Sequence, residues 1–120
     1  MDTTLSVPTI DVRERIPTSV IRSLAQRIAE RFHPQRIILF GSYAYGHPFR
    51  ESDVDILVIM DTPLKESEQA LQIRKAVNVL FGLDLIVYTP DNLARRITWG
   101  DSFLQEITTQ GLVLYESAND

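Results

Sequence analysis

From Pro17 onward apolar residues recur at helical spacing: Val20, Ile21, Leu24, Ala25, Ile28 and Phe32 share one face, and His33-Pro34 stops the run. The spacing predicts an amphipathic helix with Pro17 in its first turn and His33 at its end. Arg36-Ile37-Ile38-Leu39-Phe40 follows, a short and mostly apolar run that reads as a buried strand turned sharply by Gly41. Residues 46–52 (GHPFRES) have the composition of a loop. Residues 54–60 (VDILVIM) then read as a second buried strand, with Asp53 and Asp55 at its entrance. After a connector over 61–66, Ala70, Ile73, Ala76, Val77 and Leu80 predict a helix ending near Gly82. A third strand covers 83–88 (LDLIVY). Thr89-Pro90 suits the cap and first turn of a short helix to about Arg96, Asp101-Ser102 opens another that Gly111 closes, and 112–115 (LVLY) reads as a last strand.

Too few residues join the first two strands for a crossover helix, so a mixed rather than an all-parallel sheet is expected. The fold class is α/β (α+β): about four strands in a mixed sheet flanked by helices. Residues 1–16 contain Pro8 and no sustained period and read as an N-terminal arm, leaving 17–120 as one domain without repeat or linker. At 120 residues a single core is feasible.

Composition narrows the function classes. A net charge of -4 argues against the broad basic surface that direct nucleic-acid binding uses. The chain has no cysteine, which removes disulfides, thiolate zinc sites and cysteine nucleophiles together. No apolar run reaches the roughly 18 residues of a membrane span, and the acidic, polar start lacks a signal peptide's pattern, so a cytoplasmic protein without membrane contact is expected.

The chemistry concentrates around the first two strands. Asp53 and Asp55 are two residues apart, so along a strand both carboxylates project from one face. Such a pair repels itself unless a cation intervenes, and hard oxygen donors suit Mg²⁺ or Mn²⁺. Asp84 is the one acidic residue inside the third apolar run, where a buried carboxylate would need a partner. With strand three beside strand two, three carboxylates could hold two ions for an in-line displacement at phosphorus. Gly41-Ser42 supplies a phosphate end, because glycine lets backbone N–H groups approach closely, Ser42 adds a hydroxyl and a short helix over 42–45 would aim its positive end there.

Residues 40–59, FGSYAYGHPFRESDVDILVI, resemble the signature of the DNA-polymerase-β-type nucleotidyltransferases, in which Gly-Ser precedes Asp-x-Asp by about ten residues and a third Asp stands on a later strand. The size of the chain is similar to that of the minimal nucleotidyltransferases (MNT), which occur beside HEPN-domain partners in toxin-antitoxin pairs. The resemblance implies a polymerase-β-like fold, ATP as substrate, two Mg²⁺ ions on Asp53, Asp55 and Asp84, and β- and γ-phosphates on Gly41 and Ser42. It also implies transfer of AMP to a hydroxyl, such as a tyrosine of a HEPN toxin, by a protein that acts as antitoxin. The family often carries arginine where this chain has Tyr43 or Tyr45, and Arg50 is the cation placed to substitute in nucleotide binding. Two other readings are carried: an antitoxin that neutralises its partner by occlusion without catalysis, and a catalytic subunit of a small-molecule, antibiotic-type nucleotidyltransferase. Homo- or hetero-oligomers fit either. His47 reads as a solvent-exposed loop histidine, Tyr43 and Tyr45 as packing residues more than base contacts, and Trp99 and Phe103 as core or partner surface.

Overall fold

The computed structural model describes residues 16–46, 48 and 52–118. Helix α1 (Thr18–Phe32) buries Ile21, Leu24, Ala25 and Ile28 and ends where His33 takes a left-handed backbone, its N–H bonded to the Ala29 carbonyl at 3.0 Å. Strand β1 (Arg36–Phe40) runs into the four-residue helix α2 (Ser42–Tyr45), and β2 (Val54–Ile59) returns antiparallel to β1. Helix α3 (Glu66–Val77) crosses over to β3 (Leu83–Tyr88), which lies parallel to β2. Helices α4 (Pro90–Thr98) and α5 (Ser102–Gln110) lead to β4 (Leu112–Glu116), antiparallel to β1. The sheet order is β3-β2-β1-β4, the mixed sheet that the short β1–β2 connection predicts.

Strand alternation divides the interior in two. On one face Ile37, Leu39, Val54, Ile56, Val58, Leu83, Leu85 and Val87 pack with Leu24 and Ile28 of α1 and Ile73 and Val77 of α3. On the other, Ile38, Phe40, Leu57 and Ile59 pack with Leu93 of α4 and Leu104 and Ile107 of α5. The caps anticipated from Thr89 and Asp101 are present, each side chain accepting a backbone N–H, from Asn92 at 3.2 Å and from Leu104 at 3.1 Å.

One expectation needs correction. Helix α3 stops at Val77, not near Gly82: Asn78 adopts a left-handed backbone (φ 48°) and returns its N–H to the Arg74 carbonyl, a conformation asparagine tolerates better than most residues. Leu80 therefore sits outside the helix and is 66% exposed. Of the two readings of Trp99 and Phe103, core or partner surface, their 74% and 53% exposure removes the core. Of the N-terminal arm, residues 1–15 lie outside the described residues, while Ile16 is buried in the core under α1 and α3. No helix among the described residues is long and apolar enough to cross a membrane.

Candidate active site

The register of the sheet assembles the site. Phe40, the last residue of β1, is paired with Asp55 on β2, and Asp55 with Asp84 on β3, so the three form one row across three strands. Directly paired residues point to the same face. The row therefore lies on the side that carries Leu57 and Ile59, at the end where the α4/α5 core gives out. Asp53 stands one residue ahead of β2, with Gly82 one residue ahead of β3 beside it, and the Val54 N–H donates to the Gly82 carbonyl at 2.9 Å.

Two glycines make room for the carboxylates. A side chain at Gly41 would run into Asp55 Oδ2, and one at Gly82 would run into Asp53 Oδ1. Gly41 also has φ of 74°, a conformation L side chains rarely adopt, so both backbone and neighbour demand glycine there. The Gly41 carbonyl accepts the N–H groups of Ala44 and Tyr45 at 3.0 and 3.2 Å, which closes α2 and leaves its first N–H groups without intrahelical partners.

Electrostatics mark Asp55. Its carboxyl is pushed up to about 6 by partial burial first and then by the negative charges of Asp84 and Asp53. A divalent cation between these oxygens would remove that penalty, and an all-carboxylate donor set suits Mg²⁺ or Mn²⁺. Among the described residues no three such side chains already converge on one point, in keeping with Asp53 and Asp55 each lying against a different glycine.

Asp84 is placed beside Asp55 as the strand pairing requires, but its burial is a correction: the side chain is exposed. The reason is that β3 is an edge strand and its first residues on this face lie beyond the cover of α4 and α5. Arg50 and His47 lie outside the described residues. Tyr43 packs against the core and its hydroxyl accepts the Ile16 N–H at 2.8 Å. Tyr45 is exposed and donates its hydroxyl to Glu106 of α5 at 3.3 Å; desolvation and then the Glu106 carboxylate hold its phenol above the ordinary value. Sequence reasoning missed Gly82, whose one local signal is a glycine immediately before the strand that carries Asp84.

Along the row Asp84 is exposed, Asp55 half-buried and Phe40 buried. Two grooves, about 550 Å³ between α3 and β3 and about 570 Å³ between α1 and β4, are lined by other residues.

Comparison with known proteins agrees with this fold. A model of the nucleotidyltransferase domain matches residues 21–114. Two candidate protein adenylyltransferases of Methanocaldococcus jannaschii are similar in sequence: one is 32% identical over 68% of this chain and 78% of its own length, the other 34% identical over 64% and 75%. Among solved structures, a candidate nucleotidyltransferase from Sulfolobus solfataricus superposes with a TM-score of 0.58 at 16% identity, covering 82% of this chain and 79% of that one. A toxin-antitoxin with AMP-PNP superposes at 0.55 with 26% identity over 82% and 76%, and the toxin-antitoxin MntA-HpeT at 0.54 with 24% identity over 88% and 77%.

Proposed function

Since this chain belongs to the nucleotidyltransferase domain family, we propose that it transfers AMP from ATP to a hydroxyl of a partner protein, a toxin of the HEPN class bearing the acceptor tyrosine. The observation that carries the reading is the carboxylate row of Asp55 and Asp84, with Asp53 alongside and Gly41-Ser42 at the end of the neighbouring strand. The exposure of Asp53 and Asp84 supports a macromolecular acceptor, because a small acceptor needs an enclosing pocket whereas a second protein brings its own walls. The names of the similar adenylyltransferases and of the toxin-antitoxin structures point the same way.

In this reading Gly41 and Ser42 hold the β- and γ-phosphates, Arg50 adds a positive charge to them, and Asp53, Asp55 and Asp84 are the ligands of divalent metal ions. Two bound Mg²⁺ ions would supply the charge neutralisation that a triphosphate and three carboxylates require at one place. The acceptor oxygen attacks the α-phosphorus, the bond from that phosphorus to the bridging oxygen breaks, and pyrophosphate leaves. Asp84, the most accessible of the row, takes the acceptor proton.

The test uses the full chain, labelled ATP, Mg²⁺ and the protein encoded beside it. Label should pass to the partner and be lost with Asp53→Asn or Asp84→Asn, by about a thousandfold or more. Undiminished transfer in either variant would overturn the three-carboxylate site. Neutralisation of the partner that survives Asp53→Asn in full would instead favour occlusion.

A further inference from the structure

The row Phe40–Asp55–Asp84 ends at an edge of the sheet: β3 pairs with β2 in unbroken register from Leu83 to Tyr88, and among the described residues no strand lies on its other side. Exposed edges are commonly blunted by a bulge, a proline or a lysine. At the opposite edge the register of β4 shifts beside Ile37 and Ile38, whereas β3 has none of these devices, and its single charge is Asp84. The carbonyls of Gly82 and Tyr88 accept the N–H groups of Val54 and Met60, at either end of β2. Backbone groups alternate along a strand, so Asp84 and Ile86 also face β2, while Leu85 and Val87 turn their N–H and C=O groups to the open edge.

The groove of about 550 Å³ follows this edge, with Ala70, Leu71 and Arg74 of α3 as its wall and Leu71 52% exposed. Glu66, at the start of α3, accepts the Thr89 N–H just past β3. Helix and strand therefore run in opposite directions, and Arg74, two helical turns on and exposed, lies toward the Asp84 end.

We propose that the partner protein presents its acceptor hydroxyl on an extended segment that adds to β3 as an antiparallel fifth strand, with the acceptor residue opposite Asp84. The inference rests on the nucleotidyl-transfer reading above and gives that reading its docking surface. In such a pair Leu85 and Val87 exchange hydrogen bonds with the newcomer, and Asp84 falls at a position without them, where opposed side chains come closest. Opposed residues share a face, so the acceptor extends the row by one strand and its hydroxyl meets the carboxylate that takes its proton. The residues flanking the acceptor turn to the α3 side, where Ala70 and Leu71 suit an apolar side chain and Arg74 an acidic one. The segment recognised is a short strand with a hydroxyl residue between an apolar and an acidic one.

Two measurements on the full chain with the partner protein of the transfer assay test this dock. Amide exchange followed by NMR should slow at Leu85 and Val87 by about tenfold or more when the partner is added, since those N–H groups become bonded. In labelled-ATP transfer with the partner as the varied substrate, Leu71→Glu and Arg74→Glu should each raise the KM for the partner by about tenfold and leave the KM for ATP unchanged. Exchange at Leu85 and Val87 that ignores a partner receiving label, or an unchanged KM for the partner in both variants, overturns the strand addition and leaves the transferase reading standing. A KM for ATP that rises alongside assigns Leu71 and Arg74 to the fold of the site, and the dock is again wrong. If the unaltered chain transfers no label, the transferase reading falls and takes the dock with it.

Discussion

The sheet face under α1 and α3 buries Ile37, Leu39, Val54, Ile56 and Val58 and continues onto β3 through Leu83, Leu85 and Val87. The face under α4 and α5 buries Ile38, Phe40, Leu57 and Ile59 and then gives way, where β2 and β3 begin, to Asp55 and Asp84. Both faces belong to the same strands, so the difference lies in the helices: one pair covers the full width, the other stops short. The site occupies the area where cover is withheld, and the closed face holds the strands in the register that aligns it.

That contrast can be broken by substitutions whose effects should separate. Asp53→Asn on the open side should cut nucleotidyl transfer by at least about a thousandfold while thermal unfolding moves little. Leu24→Ala, under the closed face, should cost about 2–5 kcal/mol in a urea titration while the folded fraction keeps its turnover. Equal loss of activity per folded molecule in both variants would end the division of labour. Gly82→Ala sharpens it: the added carbon meets Asp53 Oδ1, so transfer should fall by roughly tenfold or more with at most about 1 kcal/mol of stability lost.

Smaller effects follow from the raised carboxyl of Asp55. Below about pH 6 a metal ion must displace its proton, so Mg²⁺ affinity should fall as pH drops through that value, approaching tenfold per pH unit, and level off above it. Isothermal titration across pH 5 to 8, on the order of one point per half unit, would show the break. In the metal-free protein the folded state binds the Asp55 proton more tightly than the unfolded chain does. Stability therefore rises as pH falls from above about 6 toward the ordinary carboxylate range, and the penalty is fully present at neutral pH. Asp55→Asn should accordingly raise the Tm of the metal-free protein by a few degrees at pH 7.5, roughly 1 kcal/mol, and by nothing near pH 4. A lower Tm at neutral pH would show that Asp55 is structural.

What could be read from the chain divides along the same line. The strands and α1 were legible because hydrophobic period and burial coincide there, as in Ile21, Leu24, Ala25 and Ile28. Gly41-Ser42 and Asp53-x-Asp55 were legible because their spacing is local, and the structure places them at adjoining strand ends. The exposure of Asp84 was not, because an apolar run shows that a strand is buried on average and not which of its residues lies past the last covering helix. Gly82 against Asp53 and Phe103 against Phe40 were hidden for another reason: each contact spans tens of residues and depends on register. Asn78 ended α3 early because its left-handed backbone competes locally with an apolar pattern that would have carried the helix onward.

The pairing of β4 with β1 sets an order in time. Arg36 waits for Glu116, whereas Phe40 meets Asp55 across a short stretch and Asp55 meets Asp84 soon after. Local contacts close sooner than distant ones, since less chain freedom is given up to reach them. On the ribosome, Asp53 and the strands bearing Asp55 and Asp84 emerge well before residues 112–116, and until those arrive β1 has, among the described residues, no strand on its other edge, which carries Ile37 and Ile38. The nascent chain can thus align Asp53, Asp55 and Asp84 while the sheet beside them is still open, and β4, made after them, covers that edge of β1.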